Sequence, residues 1–273
     1  MKFKIGFTVS SNEDEKIESA PVITAPRKQE AVKSLVQIRF PSRNMTLAYF
    51  NDKFDLRRGD LVYVDGKLEG HRGIVVDVAY NFKIKISQYQ KVIALVDTEV
   101  HGQLYMAGSH FVTFDSEALP KNKIVTWFKA PDKEDDEYVV GEGDDTAFAL
   151  DDLNDFKIGH EIAERGHEYY IENRVRYISL EGTKGYAIVE GTEGYEVEFT
   201  YDNGQISHLI CSCFCSYNCK HEFAVLLQLR ETLDLIEKNY ATEYERSGYL
   251  AAICKRTLFS YAMDGKEAGS ITL

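Results

Sequence analysis

The chain lacks any run of eighteen or so apolar residues, which is what a membrane-spanning helix requires. It also lacks a secretory start. MKFKIGFTVS reads as a short strand and has no apolar stretch long enough for export. Cysteine is scarce, with five in 273 residues, and four of the five fall between positions 211 and 219. So tight a cluster cannot be a set of fold-stapling disulfides, whose partners must meet across the fold. Together these absences predict a protein of the reducing cytoplasm. No P-loop, dinucleotide-binding glycine fingerprint or nucleophile elbow occurs. Gly141-x-Gly143 lies in an acidic segment with no strand before it. There is no basic excess: the net charge is −12. Strong non-specific nucleic-acid binding relies on clustered Lys and Arg, so charge argues against it.

That charge is not uniform. Residues 131–155 carry eleven Asp or Glu and one Lys, a net of −10, so the rest of the chain is nearly neutral. Such a composition reads as a solvated linker, in which Tyr138-Val139-Val140 and Phe148-Ala149-Leu150 pack loosely on their neighbours. A hydrophobic content of 44% and an aromatic content of 12% suffice for packed cores on either side. No internal repeat is visible.

Upstream of the linker the pattern is all-β. Strands are expected at 2–9, 34–40, 45–50, 61–64, 73–79, 82–87 and 91–97, with 112–114 and 124–129 as edge strands. Tyr80-Asn81 would make a hairpin between two of them. Short strands with turns such as Val64-Asp65-Gly66-Lys67 suggest a small barrel or sandwich. The run RRGDLVYVDGKLEGHRGIVVDV resembles small barrels of SH3 or KOW type, which implies an architecture and no activity. Arg27, Lys28, Lys33, Arg39 and Arg43, with Lys83 and Lys85, are the basic residues of this half. They read as a solvated face.

Downstream the pattern mixes helix and strand. Asp155 would cap a helix from 156 to about 171, with Ile158, Ile162, His167, Tyr169 and Tyr170 on its apolar face. Strands follow at 175–180, 185–190 and 195–201, then an Asp202-Asn203-Gly204 turn and a segment at 206–210. Phe223, Val225, Leu226, Leu229, Leu233 and Ile236 recur at helical spacing, predicting a core-facing helix to about 238. A second helix is expected over 243–259. The fold class is therefore α+β, with an all-β domain at 1–130, a linker at 131–152, an α+β domain at 153–240 and a helical tail at 241–273.

Between turn and helix lies CSCFCSYNCKHEFAVLLQL, a C-x-C-x5-C-x-H arrangement of Cys211, Cys213, Cys219 and His221. Three thiols and an imidazole this close are the ligand set of a structural zinc, which takes a closed tetrahedral shell. Residues i and i+2 on a strand share a face, so Cys211 and Cys213 can serve one site at a strand end. On a helix, i and i+2 diverge by about 200°. Cys219 should therefore precede the helix and His221 open it. A thiolate just before a helix is favoured by the free N–H groups there. Cys215 offers a rival ligand, with Cys211-x3-Cys215 as the first pair. Cys254 reads as a small buried hydrophobe. His71, His101, His110, His160, His167 and His208 are scattered and read as surface or structural side chains.

The cluster and its lead-in, ERGHEYYIENRVRYISLEGTKGYAIVEGTEGYEVEFT, resemble the SWIM zinc finger over residues 150–240. That family carries C-x-C, a short loop, then C-x-H running into a helix. The resemblance implies one structural zinc on Cys211, Cys213, Cys219 and His221, with Cys215 left over. It also implies a protein-binding or DNA-binding role, since such domains accompany remodeller-type helicases, Mutator-type transposases and recombination factors. A closed shell leaves no open position for catalysis. Glu222 beside His221 does not make the H-x-E…C-x-x-C of zinc deaminases. The expectation is a non-enzymatic adaptor or scaffold with a protein partner, and association with DNA or RNA as the alternative. No membrane or small-molecule substrate is expected.

Overall fold

The computed structural model describes residues 33–132, 146–215 and 217–262. The strand expected at 2–9, the pair Arg27 and Lys28, and Tyr138-Val139-Val140 lie outside them. Two compact units divide after Asp97.

Among the described residues, the first unit is one antiparallel sheet. Its strands are β1 (Ser34–Phe40), β2 (Met45–Asn51), β3 (Leu61–Val64), β4 (Arg72–Ala79) and β5 (Val92–Leu95), in the order β2-β1-β4-β3-β5. The sheet curls back on itself. A bridge joins Phe50 to Lys91, and the Phe50 amide donates to the Gln90 carbonyl at 2.9 Å. Alternation is strict in β1, so Val36, Ile38 and Phe40 are buried while Arg39 faces out. They pack with Tyr49, Leu56, Val62, Val64, Val75 and Val92 as one core. Gly73 lets β4 come close: a Cβ there would lie 2.2 Å from Ile38 Cγ2. Residues 82–87 do not form the expected strand, and Tyr80-Asn81 turns no hairpin. β4 already lies between β1 and β3, so neither of its edges is open to a following strand. Lys83 and Lys85 therefore lie in a loop ahead of a single 3-10 turn at Ile86–Gln88.

The second unit is built on an eight-stranded antiparallel sheet. Its strands are β6 (Tyr105–Ala107), β7 (His110–Thr113), β8 (Phe148–Ala149), β9 (Val175–Glu181), β10 (Lys184–Glu190), β11 (Gly194–Asp202), β12 (Gln205–Cys211) and β13 (Tyr249–Cys254). They run β6-β7-β13-β9-β10-β11-β12-β8. Its helices are α1 (Lys121–Phe128), α2 (His160–Ile171), α3 (Lys220–Ser247) and α4 (Lys255–Ala262). Ala224, Val225, Leu226 and Leu229 of α3 pack on Ile178, Leu180, Ala187, Val189 and Val197 of the sheet.

Several expectations are corrected here. Residues 112–114 were expected as an edge of the first half, but β7 pairs with β13 in the second sheet. Residues 124–129 are not a strand. Ile124 and Trp127 are buried three apart, which is a helical period, and they belong to α1. Asp155 caps no α-helix. Phe156 is buried and stacks on Phe223 (6.2 Å between centroids), which keeps 156–159 extended until Gly159 opens α2. Ile162 and His167 are exposed, and α2 instead meets α3 through Gly166, where a Cβ would lie 2.9 Å from the Lys220 carbonyl. The segment 243–259 is not one helix. Gly248, at φ 63°, ends α3, and the apolar run after it becomes the buried strand β13, paired with β7 and β9. In the acidic segment, Phe148 and Leu150 do not pack loosely: both enter the main core, and β8 pairs with β12.

Candidate metal centre

The cysteines sit where a sheet edge hands over to the longest helix. β11 and β12 are joined through Asn203 (φ 48°) and Gly204 (φ 81°), two consecutive left-handed residues that match the twist of a tight hairpin. Cys211 is the last residue of β12, opposite Val197. One further rung holds the end: the Ser212 amide donates to the Glu196 carbonyl, and the Glu196 amide donates to Ser212 Oγ, both at 2.9 Å. Cys213 follows in the bend. Asn218 Nδ2 donates to the Lys157 carbonyl at 2.9 Å and pins the far side of the loop.

Cys219 is the N-cap of α3 and His221 lies in its first turn. The helix start is a capping box with an unusual member. The Glu222 amide donates to Cys219 Sγ at 3.5 Å, and the Cys219 amide donates to Glu222 Oε2 at 2.7 Å. Glu222 is thereby committed to the backbone.

The structure brings together one ligand atom each from Cys211, Cys213, Cys219 and His221, all within 4.8 Å of one another. His221 Nδ1 lies 3.7 Å from Cys211 Sγ and 3.8 Å from Cys219 Sγ. Tetrahedral zinc with bonds of about 2.3 Å to sulfur and 2.0–2.1 Å to nitrogen separates S and N by about 3.6 Å. The spacing thus fits a shared ion, and the cysteines are not paired as disulfides. Cys215 is exposed and outside the group. His208 is exposed, in a left-handed conformation (φ 50°), and also outside it.

Burial and contact among the thiols shift three of the four groups toward their neutral forms. The contact with Cys211, then burial, hold the Cys219 thiol far above the ordinary range. Burial pushes the Cys213 thiol up to about 12. Burial, and secondarily Lys220, lower His221 to about 4. A divalent ion would displace the Cys213 and Cys219 protons to make thiolate ligands and would meet His221 in its neutral form. His221 is buried between rings. Tyr195 stacks on it at 4.2 Å and 18°, and Tyr169 lies 5.5 Å away. Its Nε2 is buried with no hydrogen-bond partner among the described residues. Gly191 makes room for this stack, since a Cβ there would lie 2.7 Å from the Tyr195 ring.

Sequence reasoning missed Glu222, Tyr195, Tyr169 and Gly191. Only Glu222 had a local signal, because Cys219-x-x-Glu222 has capping-box spacing with a thiol in place of a hydroxyl. Cys254 is buried as expected, and its Sγ accepts from Arg176 Nη1 at 3.5 Å. No protein-family model, curated protein or solved structure matches this chain.

Proposed function

We propose that the chain is a non-enzymatic, SWIM-type zinc-binding interaction module, an adaptor or scaffold in a cytoplasmic protein complex. The observation that carries this reading is the convergence of Cys211, Cys213, Cys219 and His221 within 4.8 Å, at the junction of β12 and α3. Three thiolates and one imidazole would complete a structural shell and leave no position for a substrate. Bound there, zinc supplies a cross-link between the end of the sheet and the start of the helix. The loop it would hold presents Phe214 and Tyr217, which are 102% and 85% exposed. Aromatic side chains on a fixed loop are anchors of the kind that dominate protein interfaces.

The same two rings support the second reading, association with DNA or RNA, because exposed aromatics also stack on unpaired bases. Weak binding to random duplex DNA at physiological salt is expected under the first reading, since the net charge is −12. Two measurements test the proposal. Protein prepared without chelator should hold about one zinc per chain by elemental analysis. Tagged protein recovered from its host should retain the same partner after nuclease treatment, and lose it when Phe214 and Tyr217 are both replaced by Ala. Absence of metal overturns the zinc reading. Loss of the partner with nuclease transfers the case to nucleic acid.

A further inference from the structure

Next to the candidate metal centre, and sharing Gly191 with it, is a surface cavity of about 510 Å³ whose walls carry Arg174, Arg176, Arg256, Glu172, Glu190 and Asn173. Its position follows from how α2 ends. The Asn173 amide donates to the Tyr170 carbonyl and the Arg174 amide to the Tyr169 carbonyl, both at 2.9 Å, with Asn173 at φ 55°. This paired closure turns the chain sharply into β9. It leaves Arg174 at the entry to β9 and Arg176 two residues along it, beside Glu190 at the end of β10 and Arg256 in the first turn of α4.

The three guanidinium groups are held differently. Arg176 is 8% exposed; its Nε donates to Glu190 at 2.8 Å and its Nη1 to Cys254 Sγ. Its orientation is therefore fixed from both sides. Arg174 pairs with Glu172 and lies over the Tyr169 ring at 4.6 Å. Arg256 is exposed, and no hydrogen bond or ion pair with a described residue holds it. It also stands where the helix's own partial positive charge disfavours a cation. Three arginines against two glutamates make this cavity net positive on a chain whose net charge is −12.

We propose that this cavity binds the phosphate monoester of a small, hydroxylated molecule, of which a sugar phosphate is the type. Guanidinium forks match phosphate oxygens in pairs, and Arg256 brings one such fork that no described residue holds. Glu172, Glu190 and Asn173 supply acceptors suited to hydroxyl groups. The volume falls in the range of small-molecule sites. Ile171 is the one sizeable apolar side chain in the lining, and no aromatic ring lines it for a flat base to stack on. The inference does not rest on the metal reading, and the failure of either leaves the other standing.

The test is calorimetric titration of the full, metal-loaded chain with glucose 6-phosphate, inorganic phosphate and glucose. Glucose 6-phosphate should bind saturably, inorganic phosphate more weakly, and glucose not at all. Arg256→Ala should weaken glucose 6-phosphate binding by about tenfold or more, the loss expected for one charge-assisted contact pair. Because Arg256 is exposed, the fold should survive, and Trp127 fluorescence verifies this. Glu190→Gln should tighten binding by freeing Arg176. No saturable binding of glucose 6-phosphate, or equal affinity in Arg256→Ala, overturns the proposal. Equal affinity for inorganic phosphate and glucose 6-phosphate overturns its hydroxyl half.

Discussion

Replacing Cys213 and Cys215 one at a time by Ser tests whether Cys213 is a metal ligand and Cys215, two residues away, a bystander. Cys213 shares the cluster with Cys211, Cys219 and His221, whereas Cys215 is exposed and outside it. Structural zinc contributes about 10–16 kcal/mol in small sites, so one of four ligands accounts for about 2.5–4 kcal/mol. A domain's whole stability is about 5–15 kcal/mol. Cys213→Ser should therefore cost the second unit several kcal/mol, or about 10 °C in melting temperature for a unit of this size. Cys215→Ser removes an exposed thiol and should stay within about 0.5 kcal/mol of the parent. The assay is built in. The chain's one tryptophan, Trp127, is fully buried in the second unit and stacks on Tyr261 at 4.9 Å. Tryptophan fluorescence thus follows that unit alone, while circular dichroism follows both, and the first unit should keep its own transition. Zinc content measured in parallel completes the comparison. If Cys215→Ser strips the metal and Cys213→Ser does not, the ligand assignment and the reasoning from ligand spacing are both wrong.

Three further outcomes are expected. Gly191→Ala places a methyl 2.7 Å from the Tyr195 ring that stacks on His221, so zinc affinity in a chelator competition should fall by about tenfold, the effect of 1–2 kcal/mol of overpacking. Glu222→Ala leaves the buried Cys219 amide without its acceptor and should cost about 1–3 kcal/mol in denaturant unfolding, while Glu222→Gln recovers most of it. His110 is buried, with Nε2 at 2.8 Å from the Val175 carbonyl and Nδ1 at 2.9 Å from Ser109 Oγ, and burial lowers its pKa from 6.5 to about 4. Folding therefore favours its neutral form. The stability this gives is complete above about pH 6.5 and is lost as pH falls toward 4, about 3 kcal/mol across the window. His110→Gln should flatten that part of the stability profile; an unchanged slope would refute the assignment.

Where periodicity and pairing agreed, the sequence was legible. Residues 34–40, 61–64, 175–180, 185–190 and 195–201 became strands within a residue or two, because each has a neighbour with which to alternate. Residues 82–87 alternate equally well, yet follow β4, whose two edges are already taken by β1 and β3. A pattern specifies a face and does not supply a partner. The run from Tyr249 to Cys254 failed for the opposite reason. It is buried on both sides, so it has no polar face, and a short apolar run cannot be told from a helix by period alone. Gly248 was the available clue, since a left-handed residue ends a helix there. At the metal centre, the positions of Cys219 before α3 and His221 within it followed from the geometry of i and i+2. The rings around His221 did not, because Tyr169 and Tyr195 are brought in by separate elements.

Cys219 shows why the metal and the helix should be treated as one structure. Its amide is held by Glu222, its sulfur accepts the Glu222 amide, and the same sulfur faces His221 Nδ1. The cap that starts α3 is thus also one of the four converging side chains that could hold a metal. Among the described residues of the loop between β12 and α3, the large side chains Phe214 and Tyr217 point to solvent. A packed protein would bury such rings to stabilise the loop, and their exposure removes that source of stability. What remains is the rung at Ser212, the anchor at Asn218 and the four converging ligand atoms. A cation at that convergence would take the place of that burial, leaving the two rings free for a partner. On this argument the exposure of Phe214 and Tyr217 and the closeness of the thiols have one cause. Removing the metal should therefore loosen the rings and the start of α3 together.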